Sequence, residues 1–321
     1  MQIIAPRELV IDVSMWNHHL NIYELLDGGV TSVILGLYKQ WVNGKAVLNT
    51  NCRRIADQIA ASPLVMQAYY YYYPQCDPII EADWFVNQIF VNGYPVKFAW
   101  ADCEDHGAPM DMKLRSEQYR RFTQRLHDQI PKSGVYTAKW FTDAYAPEMK
   151  LWLGKYWIWT AEYEKEPAKV TPMDWYTLQS FWMPDYELHL APGMIPQQVV
   201  GHQFTGDRCI LPGVYQQYLN IYGGRQPLDV SVFSKTFMIW MLNNLPIPTP
   251  PVVTPTLPPH VDYKVNAVRI NIRATSSSTG AWVRYADKGT VLHVISPMNM
   301  TNGYVQLTDG TWAFFVYLIK V

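Results

Sequence analysis

Apolar and polar positions along the first three quarters of the chain alternate between two patterns. Short apolar runs read as strands over 9–13, 32–38, 64–73, 96–104, 134–137, 156–163, 199–204 and 228–233, and amphipathic, helix-like stretches occupy 52–61, 79–91, 114–129 and 140–149 between several of them. Strands separated by helices imply βα units with a parallel sheet, and about eight strands suggest a closed or nearly closed barrel. The stretch 175–196 reads as loop. The expected fold class is therefore α/β, an irregular (β/α) barrel of TIM type with few helices in its second half.

That pattern stops at 245–259, where seven of the chain's 23 prolines fall. Proline removes backbone donors and favours an extended, polyproline-like spacer. Beyond it, 267–273, 290–295, 304–307 and 312–316 read as short alternating strands with Gly280, Gly289, Gly303 and Gly310 at turn positions. The expected organisation is a barrel over 1–244, a Pro-rich linker over 245–261 and a small all-β module over 262–321.

Charge excludes more than it suggests. With 26 basic against 27 acidic residues, no chain-wide field draws the protein to nucleic acid or to an anionic membrane, and neither partner is expected. No apolar stretch reaches the roughly 20 residues of a spanning helix, and the start of the chain lacks the charged and apolar regions of a secretion signal. Cys52, Cys76, Cys103 and Cys209 lie far apart without C-x-x-C spacing, which fits reduced thiols better than a disulfide framework. The eight histidines show neither H-x-x-x-H nor H-E-x-x-H spacing, so no metal site and no cofactor is expected. The 13 Trp and 22 Tyr fit either a glycan-binding surface or a ring-filled core. The oligomeric state leaves no trace in the sequence.

The densest chemistry is Asp102-Cys103-Glu104, which closes the apolar run 96–101. On a strand, residues i and i+2 share a face, so both carboxyls enter one cavity while Cys103 points away. The competing reading is one exposed acid and one helix cap. Asp12 stands near the end of the first strand and Asp229 within the last before the linker, and in a closed barrel those strands are neighbours. Four convergent carboxyls in a partly desolvated cavity repel one another and raise the pKa of at least one. A carboxylic acid kept neutral at working pH is what protonation of a glycosidic oxygen requires.

In this order, Ile11-Asp12-Val13-Ser14, Ala68-Tyr69-Tyr70-Tyr71, Asp102-x-Glu104, Gly134-Val135-Tyr136-Thr137, Trp159-Thr160-Ala161-x-Tyr163, His202-Gln203-Phe204 and Leu228-Asp229-Val230 resemble glycoside hydrolase family 25. The resemblance spans roughly 9–233 and implies a lysozyme of the N-acetylmuramidase type. Such an enzyme cuts the β-1,4 bond between N-acetylmuramic acid and N-acetylglucosamine in bacterial peptidoglycan, with net retention. It further implies Glu104 as general acid/base, Asp102 as the acid that stabilises developing positive charge or orients the substrate's acetamido group, and Asp12 and Asp229 as flanking acids. Tyr69, Tyr136, Trp159, Tyr163 and Gln203 become candidate wall residues. Whether Asp102 or the substrate's acetamide is the nucleophile is left open. This chain departs from the family pattern at Trp16-Asn17-His18, at the 36–41 segment and at Tyr70, where the family usually carries a histidine, changes expected to fall on the walls rather than the acids.

The segment 266–318 resembles a bacterial SH3 domain, which implies a small SH3-like barrel that holds an enzyme on the cell wall, with Tyr304, Trp312 and Tyr317 as candidate groove residues. A tethered wall-binding module keeps a barrel at high local concentration on an insoluble substrate. Together the resemblances imply a phage endolysin made in the host cytoplasm that reaches the wall after release, or a lysin carried on a virion. Two other readings stay open: a non-catalytic glycan-binding or structural virion protein, and a glycosidase of the same fold acting on a different acetamido polysaccharide.

Overall fold

The computed structural model describes residues 7–42, 45–107, 109–164, 166–181, 188–206, 208–215, 225–243, 260–278, 282–295, 298, 300–308 and 311–321. The chain divides into two compact units, Met1–Val253 and Thr254–Val321. The Pro-rich segment lies outside the described residues up to position 259, as do Gly280 and Gly310.

In the first unit, eight strands close a barrel: β1 (Arg7–Val13), β2 (Val30–Gly36), β3 (Val65–Tyr71), β4 (Ala99–Asp102), β5 (Ser133–Ala138), β6 (Trp157–Ala161), β7 (Val199–Thr205) and β8 (Asp229–Ser234). Their order around the barrel follows the chain, and every pair from β1 to β7 is parallel. The uniformly parallel sheet expected from the βα pattern fails at the last strand, because β8 runs antiparallel to both β7 and β1. The cause is the β7–β8 connection. Among its described residues it holds no crossover helix but the strand Cys209–Tyr215 paired antiparallel with Arg225–Pro227, a there-and-back excursion. Leu228 N donates to Cys209 O at 2.8 Å, so the chain re-enters at the end it had left.

The long helices are α2 (Thr50–Ala60), α3 (Pro78–Val91) and α4 (Met112–Gln129); α1 (Ile22–Asp27), α5 (Lys139–Tyr145) and α6 (Trp175–Phe181) are shorter. Helix starts follow local chemistry. The Asp77 carboxylate accepts from Ile79 N at 2.8 Å and Ile80 N at 3.1 Å, while Pro78 sits in the first turn, where no N–H is needed. Asp111 caps α4 in the same way through Lys113 N and Leu114 N. The stretch 175–196 is not all loop: Asp174 accepts from Thr177 N and starts α6, which buries Trp175 and Leu178 and is too short to show a period. α5 stops at Tyr145, and Pro147 opens a 3₁₀ turn, Pro147–Leu151, in its place. Among the described residues no helix is long and apolar enough to cross a membrane.

The barrel interior is filled in layers, because inward positions recur at every second residue of each strand. Since β8 descends, the helix after it, α7 (Lys235–Leu242), leaves from the N-terminal end of the other strands. Its Phe237 and Trp240 close that end, Phe237 against Phe98 at 5.1 Å and Trp240 against Trp157 at 5.6 Å. In the middle layer, Trp100 Nε1 donates to Gln67 Oε1 at 2.8 Å, Gln67 Nε2 to Ser32 Oγ at 3.0 Å and Trp159 Nε1 to Ser231 Oγ at 3.0 Å. Buried donors with named acceptors let two indoles fill a core without an orphaned polar group. The acids occupy the third layer, at the mouth.

The second unit holds β9 (His260–Val265), β10 (Arg269–Arg273), β11 (Trp282–Asp287), β12 (Val291–Ile295), β13 (Met300–Thr301), β14 (Tyr304–Gln306), β15 (Trp312–Phe314) and β16 (Leu318–Lys320). Among the described residues they pair as two open sheets, β12-β9-β16 and β11-β10-β15-β14-β13. A bridge from Val294 to Leu307, with Thr308 N donating to His293 O at 2.9 Å, ties β12 to the segment after β14, around a core that includes Val265, Ile272, Val294, Val305 and Ala313.

One close approach makes a sharp prediction. A Cβ on Gly134 would stand 2.6 Å from Trp100 Cζ3 and 2.6 Å from the backbone oxygen of Trp157. The Gly134→Ala variant is expected to lose about 1–3 kcal/mol of stability through overpacking, read as a lower midpoint in denaturant unfolding.

Candidate active site

The mouth of the barrel is built by strand ends. Asp12 closes the β1 face and pairs in register with Asp229, the first residue of β8. Because β8 is antiparallel, its beginning lies beside the C-terminal ends of its neighbours. Asp102 ends β4 opposite Tyr71 of β3 and Tyr136 of β5. The ladder stops there, two residues short of the strand expected over 96–104, yet the alternation continues. Cys103 N donates to Tyr136 O at 2.9 Å and Thr137 Oγ1 donates to Cys103 O at 2.8 Å, which holds the next residue extended. Cys103 is buried in the layer beneath the helices.

Neither acid of the pair caps the following helix, since Asp111 does. Asp102 is 3% exposed, and its Oδ1 accepts no hydrogen bond among the described residues. Burial first, then the charges of Glu104, Asp12, Asp105 and Asp229, push the Asp102 carboxyl well above the usual carboxylate range. Glu104 is half-buried and so stands nearer to solvent.

Two hydrogen-bonded groups of polar side chains flank the acids. Gln203 Oε1 accepts from the Tyr136 hydroxyl and from the Tyr163 hydroxyl, the latter at 2.8 Å, and Gln203 Nε2 donates to Asp12 Oδ2 at 3.0 Å. Two phenols on the amide oxygen and a carboxylate on the amide nitrogen fix which way Gln203 faces. Its strand is anchored by Glu162 N donating to Gln203 O at 3.0 Å and by His202 Nε2 donating to Glu162 O at 3.0 Å. Burial lowers the His202 imidazole to about 4, so it stays neutral in this outward structural position. On the opposite side, Tyr38 OH donates to Tyr69 OH at 2.8 Å. Burial foremost, with the Asp102 charge contributing, raises both phenols well above 10.

The sequence-selected residues therefore sit at two depths. Asp12, Asp102, Glu104, Asp229, Tyr69, Tyr136, Tyr163 and Gln203 gather at the mouth, and Tyr163 reaches 37% exposure. Trp159 lies a layer deeper, fully buried, with its ring 4.3 Å from Tyr136 and 5.8 Å from Trp100, so it supports the wall without facing the opening. Tyr70 is not a wall residue: it points outward against Phe85 and Phe122 and donates to Glu81. The replacement at that position consequently changes the layer under the helices rather than the opening.

Three residues at this mouth escaped the sequence reading. Asp105 is 8% exposed; Tyr71 OH donates to its Oδ1 at 3.3 Å and Tyr119 OH to its backbone oxygen at 3.1 Å. It adds a fifth carboxyl to the field at Asp102. Tyr71 and Tyr38 line the same side. The signal for Tyr71 was present, since it alternates with Tyr69.

In the second unit, Tyr304 is buried with its ring 4.9 Å from Phe314, which stands 5.7 Å from the exposed Tyr317. Trp312 is half-buried on the strand face that also carries Phe314.

The sequence profile of glycosyl hydrolases family 25 matches residues 11–210. Solved structures with a similar fold include the bacterial lysozyme from Streptomyces coelicolor, 12% identical over 74% of this chain and 97% of that chain, with a TM-score of 0.53. The muramidase from Acremonium alcalophilum is 10% identical over 74% of this chain and 100% of its own, with a TM-score of 0.51. A family 25 lysozyme from Aspergillus fumigatus is 13% identical over 73% and 98%, with a TM-score of 0.50. At such identities the likeness is one of fold. No curated protein matches the sequence.

The acid cluster has a stability consequence. An Asp102 pKa raised in the folded state means the folded protein binds the extra proton. Its favourable contribution is complete below the unfolded value of about 3.9 and is lost as pH rises through the folded value. Asp102→Asn removes that loss. The variant is expected to melt higher than the wild type at pH 7, by about 2–4 °C per kcal/mol in a domain of this size, with the gain shrinking toward pH 4 in a thermal-unfolding series.

Proposed function

The chain belongs to glycosyl hydrolases family 25 and is a glycoside hydrolase, and from that premise we propose that it is an endolysin-like N-acetylmuramidase, cutting the β-1,4 bond between N-acetylmuramic acid and N-acetylglucosamine in bacterial peptidoglycan. The observation that carries the reading is the carboxyl cluster at the barrel mouth, with Asp102 held well above the usual carboxylate range beside the more accessible Glu104. One proton retained by this pair at working pH can be presented to a glycosidic oxygen by Glu104, the member nearer solvent. As the leaving oxygen takes that proton, positive charge develops at the sugar's anomeric carbon, and the remaining carboxylates face it. Asp12, held by Gln203, and Asp229 opposite it set the field from the closure side. Tyr69, Tyr136 and Tyr163 supply hydroxyls and ring faces for sugar binding, with Trp159 as their support. Product retention follows if Asp102 or the substrate's acetamide attacks from the face opposite Glu104.

The second unit is proposed as an SH3-like wall-binding module, supported by the half-buried Phe314 of β15 and the exposed Tyr317 of the following 3₁₀ turn, whose rings lie 5.7 Å apart in a unit with its own core. Synthesis inside a host cell and action on the wall after release belong to the same proposal.

Glu104→Gln keeps the shape and removes the proton donor. It is expected to lower the turnover of purified peptidoglycan by roughly 10²–10⁴-fold. The wild type alone is expected to release muropeptides ending in reducible N-acetylmuramic acid, read by mass spectrometry of reduced products. Cleavage by the variant at the wild-type rate would remove Glu104 from this role. Tyr317→Ala combined with Trp312→Ala is expected to reduce co-sedimentation with whole walls while leaving the cleavage of soluble glycan fragments intact.

A further inference from the structure

Outside the barrel, pairing of two strands in the second unit creates a cluster that a search for helical histidine spacings does not reveal. His260 and Asp262 occupy alternate positions of β9, and Asp262 is directly opposite His293 of β12. Residues i and i+2 of one strand with the residue facing one of them make a compact triangle on one face of an antiparallel pair. Here His293 Nδ1 lies 2.7 Å from Asp262 Oδ1, and His260 Nε2 lies 3.5 Å from that oxygen. The two rings meet edge-on with centroids 4.8 Å apart. One ligand atom from each of the three falls within 4.8 Å of the others. The opposite face of β9, through Tyr263 and Val265, is core, so the strand that carries two of the ligands cannot easily turn.

We propose that His260, Asp262 and His293 form a binding site for a zinc-class divalent transition-metal ion, with solvent completing the coordination. Two imidazoles and a carboxylate are the donor set such ions take at three corners of a tetrahedron, whereas calcium and magnesium prefer all-oxygen surroundings. The side chains are partly open, 28% for His260 and 44% for His293, so an ion can enter without unfolding the sheet. Binding at His293 Nδ1 replaces the proton donated to Asp262. In a neutral ring that proton reappears on Nε2, and no net proton is released. The ion would fasten β12, an edge strand, to β9.

A second triad, Glu162, Glu164 and His189 in the first unit, is less suited. It has one imidazole, and both oxygens of Glu162 already accept from His189, through its backbone N at 2.9 Å and its ring at 2.6 Å.

The test is calorimetric titration of the full chain, stripped with chelator, with Zn²⁺ alone, and a parallel Co²⁺ titration followed by visible absorption. The expected result is one Zn²⁺ per chain and an intense Co²⁺ band of low-coordinate type. Affinity should fall by roughly 10–100-fold or more in His293→Gln and in His260→Gln, each with an unchanged circular-dichroism spectrum. His189→Gln should bind as the wild type does. Absence of saturable binding, or binding unchanged in both β-strand variants or lost in His189→Gln, would overturn the assignment.

Discussion

Everything at the mouth depends on the way the barrel closes. β8 enters antiparallel between β7 and β1, and that one choice of direction sets Asp229 directly across from Asp12. Facing carboxyls on paired strands oppose each other's charge, so this register is tolerated only where other contacts enforce it. The enforcement comes from below. Reversal of β8 sends α7 to the far end of the barrel, where Phe237 and Trp240 lock against Phe98 and Trp157. Aromatic packing at the base thus stabilises a fold whose opposite end concentrates repelling acids, the usual division between a stable scaffold and a strained site.

Polar wiring converts that concentration into an ordered site. Gln203 links two phenols on one side to Asp12 on the other, and its own strand is pinned by the neutral His202. Asp102 sits where burial and four neighbouring carboxyls act in the same direction on its proton. The second unit has a core of its own.

Much of this was legible from periodicity. The eight barrel strands and the helices α2, α3 and α4 follow apolar patterns strong enough to survive without tertiary information, and neighbourhood of the first and last strands follows from closure itself. Strand direction was harder. The clue lay in 205–227, where the sequence shows no helix-like stretch between two strands, and an antiparallel strand pair returns the chain to the end it left. α7 carries Phe237, Met238, Trp240 and Met241 close together, so it shows little amphipathic period, and only its burial at the barrel base explains it. Depth within the barrel was invisible as well. Trp157, Trp159, Ala161 and Tyr163 all alternate inward, but the layer each reaches depends on the stagger between strands. Asp105 was missed because the alternation rule ends where the strand does. The histidine and aspartate pair of β9 reveals itself only once β12 is laid beside it.

The central claim is that burial at the barrel mouth, beside the charges of Glu104, Asp12, Asp105 and Asp229, keeps a proton on the Asp102 carboxyl well above the range in which an ordinary carboxylate ionises. Infrared difference spectroscopy in the carboxylic-acid C=O region, comparing wild type with Asp102→Asn across a pH series, observes that proton directly. The account predicts a protonated-carboxyl band in the wild type that the variant lacks and that persists as pH rises well beyond the range of an ordinary carboxylate. A wild-type band that is lost within the ordinary carboxylate range, Asp102 ionising there as an exposed acid does, would contradict it.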